Sequence, residues 1–196
     1  MRQLGYTLIV SLFAILVACG GGPKPEAEAT SATEPPVTET AAGAADELVV
    51  PGARFDQPAG WVFREPSSSM RLVEAEIPGE AGAALLTAFF FGPGGGGGTD
   101  ANLQRWAGQI EAEAGVEPTR DAFEINGYAV STIAVNGTLK PSRMGSGPTE
   151  AIPGSRLVGA VVEGPGGPWF FKVTGPAATV AAAEPAFDAM LRSVRP

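Results

Sequence analysis

Apolar and polar residues largely alternate through Met70-Arg71-Leu72-Val73-Glu74-Ala75-Glu76-Ile77, the period of a half-buried strand. Residues 84–91 form a dense apolar run ending Phe89-Phe90-Phe91, too short for a typical buried helix. Residues 122–125 and 128–135 flank Asn126-Gly127, the dipeptide that suits a two-residue hairpin turn. Residues 157–163 and 169–174 flank Gly164-Pro165-Gly166-Gly167-Pro168, which predicts a longer hairpin loop. Residues 61–64 read as a short strand and 49–55 as a candidate edge. Two stretches change to helical spacing. Over 101–114, Leu103, Trp106, Ile110 and Ala114 fall on one face, with Asp100 as N-cap and Gly115 as C-terminal stop. Over 177–194, Val180, Phe187, Leu191 and Val194 form a stripe behind Pro176, and Pro185 predicts a kink or a split. Hairpins joined to two amphipathic helices predict an α+β fold: a largely antiparallel sheet covered by the helices.

A different pattern occupies the N-terminus. Arg2 is the one charge ahead of an apolar run over residues 6–18, which ends Leu16-Val17-Ala18-Cys19. The run is shorter than the roughly 20 residues that a spanning helix needs. A basic start, a short apolar core and small residues before a cysteine make residues 1–18 a lipoprotein signal peptide. Cys19, the single cysteine, is then the lipid attachment site. Its sulfur can carry a diacylglycerol and its freed amine an acyl chain such as palmitate. Each buried CH₂ contributes about 0.8 kcal/mol, so two or more chains hold a protein on a membrane. The partner this implies is membrane lipid, and the location is the bacterial cell envelope. Gly20 stands where aspartate retains some lipoproteins at the inner membrane, which points to the outer membrane. Residues 19–48 hold Cys19 and a Pro/Ala/Thr/Glu tether with Glu26, Glu28, Glu34, Glu39, Asp46 and Glu47 against Lys24 alone, a composition that predicts an extended, disordered spacer.

Residues 49–196 remain as a single globular domain. Without Arg2, Lys24 and the six tether acids, the chain's 13 basic and 21 acidic residues reduce to 11 against 15. There is no basic stripe, so nucleic acid is not an expected partner. There is no histidine, which excludes Ser-His-Asp and Cys-His catalysis and imidazole zinc sites. No cofactor or metal is expected, and catalytic residues are not assigned. Glu74 and Glu76 share one face of a strand and read as solvated charge. Gly94-Gly95-Gly96-Gly97-Gly98 opens the first helix. It lacks the Gly-Lys-Ser/Thr of a phosphate loop and reads as a connector.

Several residues in order carry a resemblance. They are Trp61; Pro66-Ser67-Ser68-Ser69-Met70-Arg71; Phe90-Phe91-Gly92; Asn102, Arg105-Trp106, Gly108-Gln109; Gly137-Thr138; and Arg156, Ala160, Val162-Glu163, Pro165, Gly167-Pro168, Phe170-Phe171-Lys172 and Gly175-Pro176. The chain resembles a group of uncharacterised bacterial envelope lipoproteins over nearly all of residues 60–195. It departs from that group's pattern at Ile110, where an aromatic is common, and in a long insert over 140–155. At fold level it resembles the PsbP-like domain of a photosystem II extrinsic subunit and a Ran-binding import factor. The resemblance implies a central antiparallel sheet between helices, an α/β/α sandwich used for docking rather than catalysis.

Four cations are the candidate docking residues: Arg71, Arg105, Lys140 and Arg143. Arg105 flanks the helix stripe, where it can pair with a carboxylate such as Glu163 or face a partner. Arg71 and Lys172 sit on strands beside apolar neighbours. Lys140 and Arg143 lie in a stretch over 138–155 that reads as a long loop. The expected function is an accessory module that docks an envelope protein. A carrier of small or apolar cargo, and a hydrolase built on carboxylates alone, are the alternatives.

Overall fold

The computed structural model describes residues 46–142 and 147–196. Cys19, most of the tether and Arg143 lie outside them. The described elements are β1 (Glu47–Val50), β2 (Ala53–Asp56), β3 (Val62–Arg64), β4 (Val73–Ile77), β5 (Ala84–Phe90), α1 (Thr99–Ala107), β6 (Ile110–Ala112), β7 (Thr119–Ile125), β8 (Tyr128–Leu139), β9 (Ile152–Glu163), β10 (Trp169–Pro176) and α2 (Ala177–Arg192). β1 and β2 form a hairpin of their own. The other eight strands make one sheet in the order β3-β4-β5-β10-β9-β8-β6, with β7 also on β8. Every pairing within it is antiparallel. The fold is α+β, as the hairpin pattern predicts.

The β7–β8 turn is Asn126-Gly127, with φ of 51° and 81°. A type I′ turn needs positive φ at both positions, and Asn and Gly supply it at least cost. Alternation then divides β10. Trp169, Phe171 and Val173 enter one apolar cluster with Phe55, Val180, Phe187 and Leu191. Phe170 enters a second cluster with Leu103, Trp106, Ile110, Ile133 and Leu157. α2 and the β1–β2 hairpin close the first face, and α1 packs over β8 and β9 on the second. Fully burying a large apolar side chain contributes about 1.5–3 kcal/mol, so both clusters matter, and the first is much the larger. Trp106 lies directly on Gly159, where a Cβ would stand 2.3 Å from the indole.

Pro185 does not split α2, which is continuous over Ala177–Arg192. The carbonyl freed by the missing N–H is that of Ala181. Ala181 and Pro185 are both exposed, so water can satisfy it. The first helix departs further from expectation. It starts at Thr99 behind Gly98, which makes no side-chain cap, and it ends at Ala107. Ile110 is buried in the expected cluster, but from a strand, because Ile110, Glu111 and Ala112 pair with Leu139, Thr138 and Gly137. Gly137 permits that approach: a Cβ there would lie 2.1 Å from the Glu111 carbonyl oxygen. Pairing of β8 with β9 as far as Leu139 and Ile152 shortens the expected loop.

β2 and the C-terminal residues are tied together. Arg54 and Arg195 exchange backbone bonds of 2.8 and 3.0 Å. The Asp56 N–H donates to Ser193 Oγ at 2.8 Å, and Arg195 pairs with Glu47 and Asp56, each at 2.8 Å.

Candidate functional site

α1 covers the β8–β9 half of its face and leaves the β3–β5 half to side chains and the 65–72 loop. This uncovered half is a shelf with α1 as its wall. Across its floor, register places Arg64 beside Glu74, Glu74 beside Thr87, Thr87 beside Lys172, and Lys172 beside Gly159 under Trp106.

Glu74 corrects the reading of solvated charge. It is only 3 % exposed. Arg64 Nε donates to it at 2.9 Å, the Ser67 N–H and hydroxyl at 3.1 and 2.8 Å, and Arg71 Nη1 also donates to it. Burial pushes its carboxyl up, but the bonds from Arg71, Ser67 and Arg64 outweigh that and hold it at about 2. It is an anion at neutral pH and cannot be a general acid there. Glu76, 3.4 Å from Arg64 Nη1, shares its strand face, as alternation predicts.

Lys172 stands at the foot of the wall, and its Nζ donates to Gln109 Oε1 at 3.1 Å. Burial, followed by the charges of Arg71 and Arg105, lowers the ammonium from 10.5 to about 8. It is still mostly charged at pH 7. Arg105 does not pair with Glu163. It donates to Asn102 Oδ1, and Asn102, 3 % exposed, donates in turn to the carbonyls of Gly96 and Gly98 at 2.9 and 3.0 Å. The glycine loop is thereby fastened to α1. Lys140 Nζ donates to the Gly108 carbonyl at 3.1 Å, and its backbone N–H donates to Gln109 O at 2.8 Å, which satisfies the C-terminal end of α1.

Three of the four predicted cations are described. The structure brings Arg71 and Arg105 close enough to Lys172 for their charges to act on it, and it sets Lys140 on the adjoining end of α1. Arg71 is 13 % exposed in its side chain and paired with Glu74, so it builds the shelf more than it faces outward. Sequence reasoning missed Asn102 and Gln109. Both are neutral, and only their contacts reveal a role.

Aromatic side chains adjoin the floor. Phe89 stacks on Phe91 at 6.4 Å, and Phe91, 50 % exposed, leans on Phe170 at 6.0 Å. An open hollow of about 490 Å³ between the glycine loop and the β9–β10 loop is lined mainly by glycine and proline with Glu163. Trp61 stacks on Phe187 at 6.5 Å, and Trp169 is fully buried, so both serve packing. Among the described residues no acidic cluster could hold a metal ion, and no helix is long and apolar enough to cross a membrane. No protein-family model matches the chain, and no curated protein matches it.

Proposed function

We propose that the protein is a non-catalytic docking module of the bacterial cell envelope, held on the outer membrane through acylated Cys19. The α1 shelf is the surface that meets an envelope protein. One observation carries this reading. Every described arginine except Arg105 is in an ion pair, neither described lysine is, and these three cations gather around α1. In a domain with excess acid, leaving those charges without carboxylates favours a partner that supplies the complement. The membrane anchor would raise local concentration, so a modest affinity suffices. The resemblance to envelope lipoproteins with a PsbP-like domain points the same way.

The test is gentle solubilisation of native membranes, capture of the tagged full chain, and quantitative mass spectrometry of what accompanies it. One protein at near-equal stoichiometry, lost in Arg105→Ala while that variant stays folded, is the expected result. Cys19→Ser should reduce its recovery by removing the anchor. Recovery of the chain alone at native yield would sink the reading.

A further inference from the structure

The cations of this domain divide by what holds them. Arg54, Arg64, Arg71, Arg120, Arg156, Arg192 and Arg195 rest on carboxylates. Arg105, Lys140 and Lys172 rest on neutral oxygens: Asn102 Oδ1, the Gly108 carbonyl and Gln109 Oε1. A carboxylate both orients a cation and cancels it. An amide oxygen orients it and leaves the charge in place. Asn102 is itself buried and bonded to the glycine loop, so Arg105 stands on a fixed base. Lys172 is half-buried at the foot of α1, held by one of its three N–H donors. The Gln109 side-chain NH₂ donates no hydrogen bond among the described residues. Donors set in place and left uncompensated are what an anion site requires.

We propose that Arg105 and Lys172, with the Gln109 amide, receive a carboxylate presented by an acidic peptide segment of the partner protein. The two free N–H donors of Lys172 and the remaining guanidinium donors of Arg105 take the oxygens, and the Gln109 NH₂ adds a neutral donor. Lys140, held on the Gly108 carbonyl at the end of α1, takes a neighbouring acid. Shape favours a peptide over lipid headgroups. Lys172 sits in the floor of the sheet beside the α1 wall, where a protruding side chain reaches it and a flat plane of phosphates does not. The floor also suits a peptide, since half-buried Leu85 and Phe89 lie on either side of Thr87 along β5. Burial first, and then the charges of Arg71 and Arg105, lower the Lys172 ammonium, and an acid placed beside it would offset both.

This inference rests on the docking reading but can fail separately from it. The experiment is NMR of the isotope-labelled full chain in detergent micelles, following the lysine Cε signals and the Gln109 side-chain amide. The probes are a hexaglutamate peptide, a hexaglutamine peptide and inorganic phosphate. Hexaglutamate should give saturable shifts at Lys172 and Gln109 and should raise the proton affinity of Lys172 by about tenfold. Lys172→Met and Arg105→Gln should each weaken the peptide by about tenfold or more. Hexaglutamine should do nothing. Absence of saturable shifts with hexaglutamate overturns the inference, as does a response unchanged by Lys172→Met. Equal saturation by phosphate overturns the peptide assignment in favour of a free-anion site. If the membrane partner persists in Lys172→Met, docking stands and the carboxylate receptor falls. If no partner is recovered while hexaglutamate binds and needs Lys172, docking falls and the receptor stands.

Discussion

The two faces of the sheet are built on different terms. The face under α2 and the β1–β2 hairpin is apolar from β4 to β8, with Phe55, Ala75, Leu86, Ala160 and Phe171 fully buried. The opposite face is apolar mainly beneath α1, with half-buried Leu85 and Phe89 on β5. Elsewhere it carries Arg64, Glu74, Thr87 and Lys172 in one row. A sheet closed on one side can leave part of its other side polar, because the first face already provides the burial that a domain of this size needs. Most of the apolar burial thus lies on the closed face, and the proposed docking cations lie on the other, so substitutions should sort accordingly.

The largest effect should come from the closed face. Phe171 is fully buried with its ring 5.0 Å from Phe55, so Phe171→Ala should cost about 3–5 kcal/mol. Denaturant unfolding measures this, and a loss below about 1 kcal/mol would break the comparison. Next is Glu74→Gln, on the order of 2–3 kcal/mol at pH 7. The folded carboxyl titrates at about 2 against an ordinary 4.5. Its contribution is therefore complete above about pH 4.5 and lost as pH falls towards 2. The unfolding midpoint of the variant should lack that part of the acid decline. Gly159→Ala puts a methyl 2.3 Å from the Trp106 ring and should cost about 1–3 kcal/mol, with a change in tryptophan emission. The smallest effect has the opposite sign. Lys172→Met should stabilise the domain by about 1 kcal/mol at pH 7. The folded ammonium titrates at about 8 against 10.5, so the native chain gains stability as pH climbs through that window, and the advantage of Met should vanish above it. A variant that is more stable yet no longer binds an acidic peptide would sharpen the separation of the faces.

What the sequence reveals follows the same division. The closed face is written in local pattern. Asn126-Gly127 sets a hairpin, and Val180, Phe187 and Leu191 set a helix stripe; Val194 is buried with them, but just past the end of α2 at Arg192. The α1 side is written in pairings distant in the chain. Ile110 keeps helical spacing with Leu103 and Trp106, so nothing local distinguishes the last turn of a helix from a three-residue strand. Pairing with residues 137–139 decides it. Pro153 and Gly154 read as loop yet belong to β9. Arg105 and Lys140 are legible as charges. That Lys172 lies near Arg71 and Arg105 depends on the register of β4, β5 and β10, which the chain reveals only once folded. Glu74 was hidden in the same way. Its Arg71 partner is three residues away, but its burial depends on Arg64 arriving from β3.

The junction of β2 with the C-terminal residues bears on how the domain carries load. Tension on the chain ahead of Asp46 would enter through β1, which pairs as a strand with β2 and holds Arg195 through Glu47. From β2 it passes through Arg54, Asp56 and Ser193 into the end of α2. A hairpin pulled from one end opens one bond at a time, at low force. Here Leu48 and Val50 are buried in the larger cluster and Glu47 also holds Arg195, so force from that end would meet the core and the C-terminal residues as well as the β1–β2 pairing.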